Sequence, residues 1–207
     1  MRTYSRNQHS FFDDLISYLS SIASFGMATE AHNFGFRPAF KPNERMVLTG
    51  MPNVTNTVLV FSPYTILQPI ATNGWPELIE FEENPSDVTP NDFSKYPIQL
   101  TGIKELHSLM LQATFLHYYE TVSPKIEARY NTDVSNWPSV LNFARVIRNA
   151  FAHGGQIYFR NPNAQPASWR TLTYKPSDNG RQILYLDITA VEAILLMEDM
   201  NDILRAI

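Results

Sequence analysis

The chain has 207 residues, 44% of them apolar and 13% aromatic, with no cysteine and a formal net charge of −4. This length and hydrophobicity suit one well-buried core and exclude a disordered chain. Without cysteine there is no disulfide scaffold, no thiol nucleophile and no thiolate zinc site.

The residues up to Phe12 are too polar for the core of a signal peptide, and no stretch approaches the roughly 18 uninterrupted apolar residues of a spanning helix. A single cytoplasmic domain over 1–207 with no membrane partner is expected. The charge is uneven: no carboxylate lies between Asp133 and Asp178, while Arg145, Arg148, Arg160, Arg170 and Lys175 do, which leaves about −9 for the rest. Much of that negative charge sits in a run holding Glu77, Glu80, Glu82, Glu83, Asp87 and Asp92, and more in Asp187, Glu192, Glu198, Asp199 and Asp202. One surface can welcome an anion, and the net acidity argues against a generally basic nucleic-acid binder.

In chain order, Ser10 reads as the cap of a helix with the stripe Phe12, Leu15, Ile16, Leu19 and Ile22, ending near Gly26. Residues 28–97 read as a β-rich, loop-rich insertion with short strands at Arg45 to Met51 and Thr57 to Phe61, then an acidic loop from Trp75 to Pro97. Helical period returns at Ile103, Leu106, Met110, Ala113, Leu116 and Glu120, with a break or kink expected at Pro124. A further helix opens at Trp137-Pro138 and reaches His153, where Gly154-Gly155 stops it. Strands at Gln156 to Arg160, Trp169 to Lys175 and Arg181 to Asp187 follow, the last two joined through Asn179-Gly180 as a hairpin. A last helix carries Ile188, Val191, Ile194, Leu195, Met197 (or Glu198) and so on to Leu204. The fold class expected is mainly α (α+β).

The stretch from Ala144 to Gly155 carries the chemistry. At 100° per residue Trp137, Val140, Ala144, Ile147 and Phe151 share a core-facing side, and Asn142, Arg145, Asn149 and His153 share the other. Arg148 lies at the boundary, roughly 140° from His153 on an ideal helix. Histidine changes protonation state near neutrality, and the guanidinium fork matches phosphate oxygens. Together they suit phosphodiester transfer without a metal: the imidazole moves protons and the guanidinium holds charge building on phosphorus.

Arg148-Asn149-Ala150-Phe151-Ala152-His153 resembles the signature of the HEPN superfamily, an arginine followed by a polar residue and then by histidine four to six positions after the arginine. The resemblance covers roughly residues 98–207. It implies a four-helix up-and-down bundle acting as a homodimer, with its cleft between the motif helices. It also implies a metal-independent RNA endonuclease leaving 2',3'-cyclic phosphate ends, of the toxin or phage-defence type, with an antitoxin as a partner. By that likeness Arg148, Asn149 and His153 are catalytic, Arg145, Asn142 and Arg160 bind RNA, and no cofactor or metal is used. Some members bind RNA or protein without cutting, which is the alternative function.

Other features have plainer readings. His107 and His117 are ten apart and about 80° out of register, poor for shared metal ligation. HExxH, a phosphate-cradling loop and a Gly-x-Ser-x-Gly elbow are absent. Tyr158, Phe159, Trp169 and Tyr174, interleaved with arginines, read as hairpin packing before a base-stacking surface.

Overall fold

The computed structural model describes residues 1–34, 40–89 and 103–206. These form a mixed α and β structure that clusters into two compact units, one of residues 1–49 and 57–110, the other of 50–56 and 111–207.

In the first unit, β1 (Arg2–Ser5), β2 (Met46–Thr49), β3 (Val58–Phe61) and β4 (Leu78–Glu83) make an antiparallel sheet of order β1-β4-β3-β2. All of β3 is buried, as an apolar run in the middle of a sheet should be. In β4, Ile79 and Phe81 point inward while Glu80 and Glu82 face solvent, a period-two strand hidden by its acidic composition. The expected acidic loop is therefore a strand over part of its length, and residues 90–97 lie outside the described set. Its carboxylates are largely paired: Glu82 and Asp87 each sit 2.6 Å from Arg45, and Glu83 lies 3.0 Å from Arg2.

Two helices in this unit differ from expectation. Helix α1 (Phe12–Phe34) runs past Gly26, because one glycine costs only about 1 kcal/mol and good helix formers follow it. Helix α2 (Pro63–Ala71) falls inside the stretch read as β-rich, its period obscured by Pro69. Phe11, Phe12, Leu15, Ile16 and Leu19 are buried, with Phe11 edge-on to Tyr4 of β1 at 5.2 Å.

Helix α3 (Ile103–Tyr130) passes unbroken through Pro124. The carbonyl that loses its donor belongs to Glu120, and both residues are exposed, so water can satisfy it. The buried stripe of α3 is Leu111, Phe115, Tyr118, Val122 and Ile126; Ala113 and Glu120 are exposed. The large aromatic rings win the inward face because they remove more apolar area from water.

In the second unit, α4 (Ser139–Ala152) and α5 (Ala190–Arg205) pack together. Of the side expected to face the core, Ala144, Ile147 and Phe151 of helix α4 are buried but Trp137 and Val140 are only half-buried, and Leu141, Phe143, Val146 and Ala150 widen the buried stripe. The strand expected at Trp169 to Lys175 is instead a hairpin of β5 (Ala167–Trp169) and β6 (Leu172–Tyr174), turning at Arg170 with φ of +51°. No glycine or asparagine announces that turn. Trp169 compensates with the Arg170 guanidinium 4.8 Å above its ring. Gln156 and Gln182 meet in a single bridge, and Tyr185 (φ +59°) ends any strand before Asp187. Gly180 takes the positive φ expected of its turn, but Asn179 does not. Its side chain clamps Phe159 instead, accepting from the backbone N–H at 2.7 Å and donating to the carbonyl at 3.0 Å.

Glu192, counted in the sequence among the acids of the C-terminal segment, is wholly buried at 0% exposure. One of its carboxylate oxygens accepts from the Thr189 N–H (2.9 Å) and hydroxyl (2.6 Å), closing a capping box on α5. The other accepts the Met51 N–H at 2.7 Å and the Thr55 hydroxyl.

Two outcomes follow from this packing. Glu192→Ala leaves buried N–H and O–H donors unmatched and should cost about 3 kcal/mol in urea unfolding. In the first unit, His107 Nε2 is buried without a hydrogen-bond partner, and burial holds the ring pKa below its ordinary value. The unfolded chain then takes up the proton first, so this ring's contribution is present above its ordinary pKa and lost as pH falls. Denaturation at pH 7 and pH 5 should show His107→Leu gaining on the wild type as the solution is acidified.

Candidate functional site

Helix α4 is held on its apolar side by α5 and β5, with Phe143 stacked on Tyr174 at 5.4 Å. That fixes which way its polar side looks. The sequence-predicted site residues then divide into three environments.

Asn142, Arg145 and Asn149 line one recess of about 570 Å³ together with Arg160, which reaches it from the loop after α4. Arg145 is half-buried, and its Nε and Nη2 both donate to Asn142 Oδ1, at 3.2 and 2.9 Å. Burial lowers its pKa, with the neighbouring Tyr119 phenol opposing that shift. Arg160 is exposed and has neither a hydrogen bond nor an ion pair among the described residues.

Arg148 points elsewhere. Its Nε donates to Glu120 Oε1 of α3 at 2.7 Å, and Nη2 lies 2.6 Å from the same oxygen. Its Nη1 donates to Asn149 Oδ1 at 3.3 Å. The surface expected to lack carboxylates therefore has one, delivered from 28 residues upstream. Nothing in the spacing of the motif could have signalled Glu120, since contacts between helices are set by packing and not by local period. Tyr119 was missed for the same reason. Its buried phenol interacts with both Arg145 and Arg148, and burial raises its pKa so that it stays neutral.

His153 closes α4 as an exposed C-cap residue, its backbone N–H still bonded to the Asn149 and Ala150 carbonyls. Among the described residues its ring nitrogens have no hydrogen-bond partner. Gly154 (φ +68°) and Gly155 (φ +85°) then turn the chain away. A Cβ at Gly155 would come within 2.7 Å of Gln182 Nε2 and 3.2 Å of Leu184 Cβ, so glycine is required there twice over. The His153 imidazole lies against the Tyr158 ring, centroids 4.3 Å apart. Of the four aromatic residues weighed as a stacking surface, Phe159, Trp169 and Tyr174 are buried and Tyr158 is 43% exposed.

Chemically, α4 thus presents a half-buried cation without a carboxylate partner among the described residues, a carboxylate-paired cation and an accessible imidazole along about two turns of helix. No three His, Asp or Glu side chains cluster as a metal-binding set among the described residues. No helix among them is long and apolar enough to cross a membrane. No family model, curated protein or solved structure matches this chain. The likeness to HEPN proteins rests on the motif residues and their placement at the end of α4.

The Arg148–Glu120 pair is largely exposed, which limits its net worth to roughly 1 kcal/mol or less. Glu120→Ala should therefore shift the thermal midpoint by no more than a few degrees, as calorimetry would show.

Proposed function

We propose that the chain is a metal-independent RNA endonuclease of HEPN type. The observation that carries the reading is the placement of His153: an accessible imidazole at the end of a helix whose preceding turn presents Arg148 and Asn149. In this reaction the RNA 2'-oxygen attacks the adjacent phosphorus, a 2',3'-cyclic phosphate forms and the 5'-oxygen departs. His153 accepts the 2'-hydroxyl proton, and Arg148 offsets charge on the non-bridging oxygens, with Asn149 steadying the guanidinium. A proton must also reach the departing 5'-oxygen. A homodimer joined through its motif helices would bring a second imidazole for that step. Arg145, Asn142 and Arg160 then bind the RNA. Within this reading a cytoplasmic toxin or phage-defence effector, restrained by an antitoxin, is the natural role.

The Arg148–Glu120 pair favours a second reading, in which the same surface binds RNA or a protein without cutting it. A guanidinium already facing a carboxylate has less charge to offer a phosphate.

The test is single-stranded RNA incubated with the purified protein in excess EDTA. The proposal expects chelator-resistant fragments with cyclic ends and a rate reduced about 10²- to 10⁴-fold by His153→Ala, with folding intact. Equal cleavage by the variant would remove the mechanism, and RNA binding without cleavage would establish the second reading.

A further inference from the structure

We propose that the recess beside α4 is a phosphate subsite for single-stranded RNA, separate from the Arg148–His153 centre, with Arg145 as its central cation. This rests on reading the chain as an RNA-acting protein, and not on its cutting RNA.

The first support is the company Arg145 keeps. Arg2, Arg6, Arg45, Arg148, Arg170 and Arg181 each meet a carboxylate within 4 Å. Arg145, although half-buried, meets none among the described residues and spends two N–H groups on one neutral amide oxygen. A guanidinium carries five N–H donors, so three remain. A desolvated charge without a counterion is costly, and a site that tolerates one is built for an anion that arrives later.

The second support is the rest of the recess. Arg160 lines it with no hydrogen bond or ion pair among the described residues, and Asn149, Ser139 and Asn161 add neutral polar groups. The one acid in the lining, Asp133, is engaged: its Oδ1 accepts the Ser135 N–H at 3.0 Å and hydroxyl at 2.7 Å. Those bonds hold its pKa below the usual carboxylate value.

The third support selects a strand over a lone anion. About 570 Å³ is far more than one phosphate fills, and the half-buried Trp137 in the wall gives apolar surface for a sugar or base. Asn149 belongs to both places: it lines the recess and accepts from Arg148. A backbone lying across Asn149 therefore presents one phosphate to Arg148 and a neighbouring one to Arg145. Tyr119, close to both guanidiniums and kept neutral by burial, adds no competing negative charge between them.

The experiment is fluorescence anisotropy with a labelled 2'-O-methyl oligoribonucleotide, which lacks the attacking hydroxyl, titrated against wild type, Arg145→Ala, Arg145→Gln and Arg160→Ala over a range of salt. Circular dichroism checks each fold. The expected result is about tenfold weaker binding for both Arg145 variants and a log–log salt slope shallower by about 0.7, the share of one single-strand phosphate contact. An effect of Arg145 on packing alone would leave that slope unchanged. Wild-type slope and affinity in either folded Arg145 variant would overturn the proposal, as would failure of the wild type to bind the oligomer. Inorganic phosphate or a nucleoside monophosphate binding as tightly as the oligomer would overturn the strand and assign the recess to a small phosphate compound. Unmodified RNA that binds with the expected slope but stays intact would remove the nuclease reading and leave this subsite standing.

Discussion

One wholly buried glutamate side chain ties the start of α5 to residues 50–56. Glu192 is closed off from solvent, and its carboxyl oxygens accept from four donors arranged around it: two from Thr189, one from the Met51 backbone and one from Thr55. Burying such a group is favourable only when all its strong acceptor sites are used. The interaction starts α5 at one residue and ties residues 50–56 to it. Since α4 packs on α5 as well as on β5, the capping box fixes the start of one of the two elements that hold α4.

The polar side itself shows how one helix gives similar side chains different work. Arg145 and Arg148 are three apart and both half-buried, yet one sits beside an amide and the other beside a carboxylate. The ion pair is weak and exchangeable, because solvent screens it and both side chains give up entropy to hold it. Arg145 is held by the Asn142 amide oxygen and meets no carboxylate among the described residues, so no ion pair has to open there before an anion approaches. The two guanidiniums differ in their partners and not in their burial.

How much of this could be read from the chain alone depends on what each feature is made of. The extent of helix α4 was readable, because its proline entry and its glycine exit agree with its period, but its core side was read only in part: Trp137 and Val140 are half-buried, while Leu141, Phe143, Val146 and Ala150 are buried. The placement of Asn142, Arg145, Asn149 and His153 on one side followed from that period, and all four are at least partly exposed. Strand β4 was not readable, because its inward Ile79 and Phe81 alternate with acids in a stretch whose composition suggests a loop. The continuation of α1 past Gly26 and of α3 past Pro124 shows tertiary packing and solvent access overriding local breakers. The β5–β6 hairpin turns on an arginine with a left-handed backbone, a choice that propensity disfavours and that Trp169 offsets by stacking. Glu120 and Tyr119 reach the site only through α3, so no window around the motif contains them.

The pair of glycines after His153 has a consequence for how this surface can change over generations. Where the imidazole stands is decided by main-chain handedness and by the absence of a side chain at Gly155, since no hydrogen bond to its ring holds it among the described residues. A side chain added at position 155 would have to adopt a left-handed backbone and press on Leu184 Cβ, so the main chain leaving the helix is the part of this surface least open to replacement.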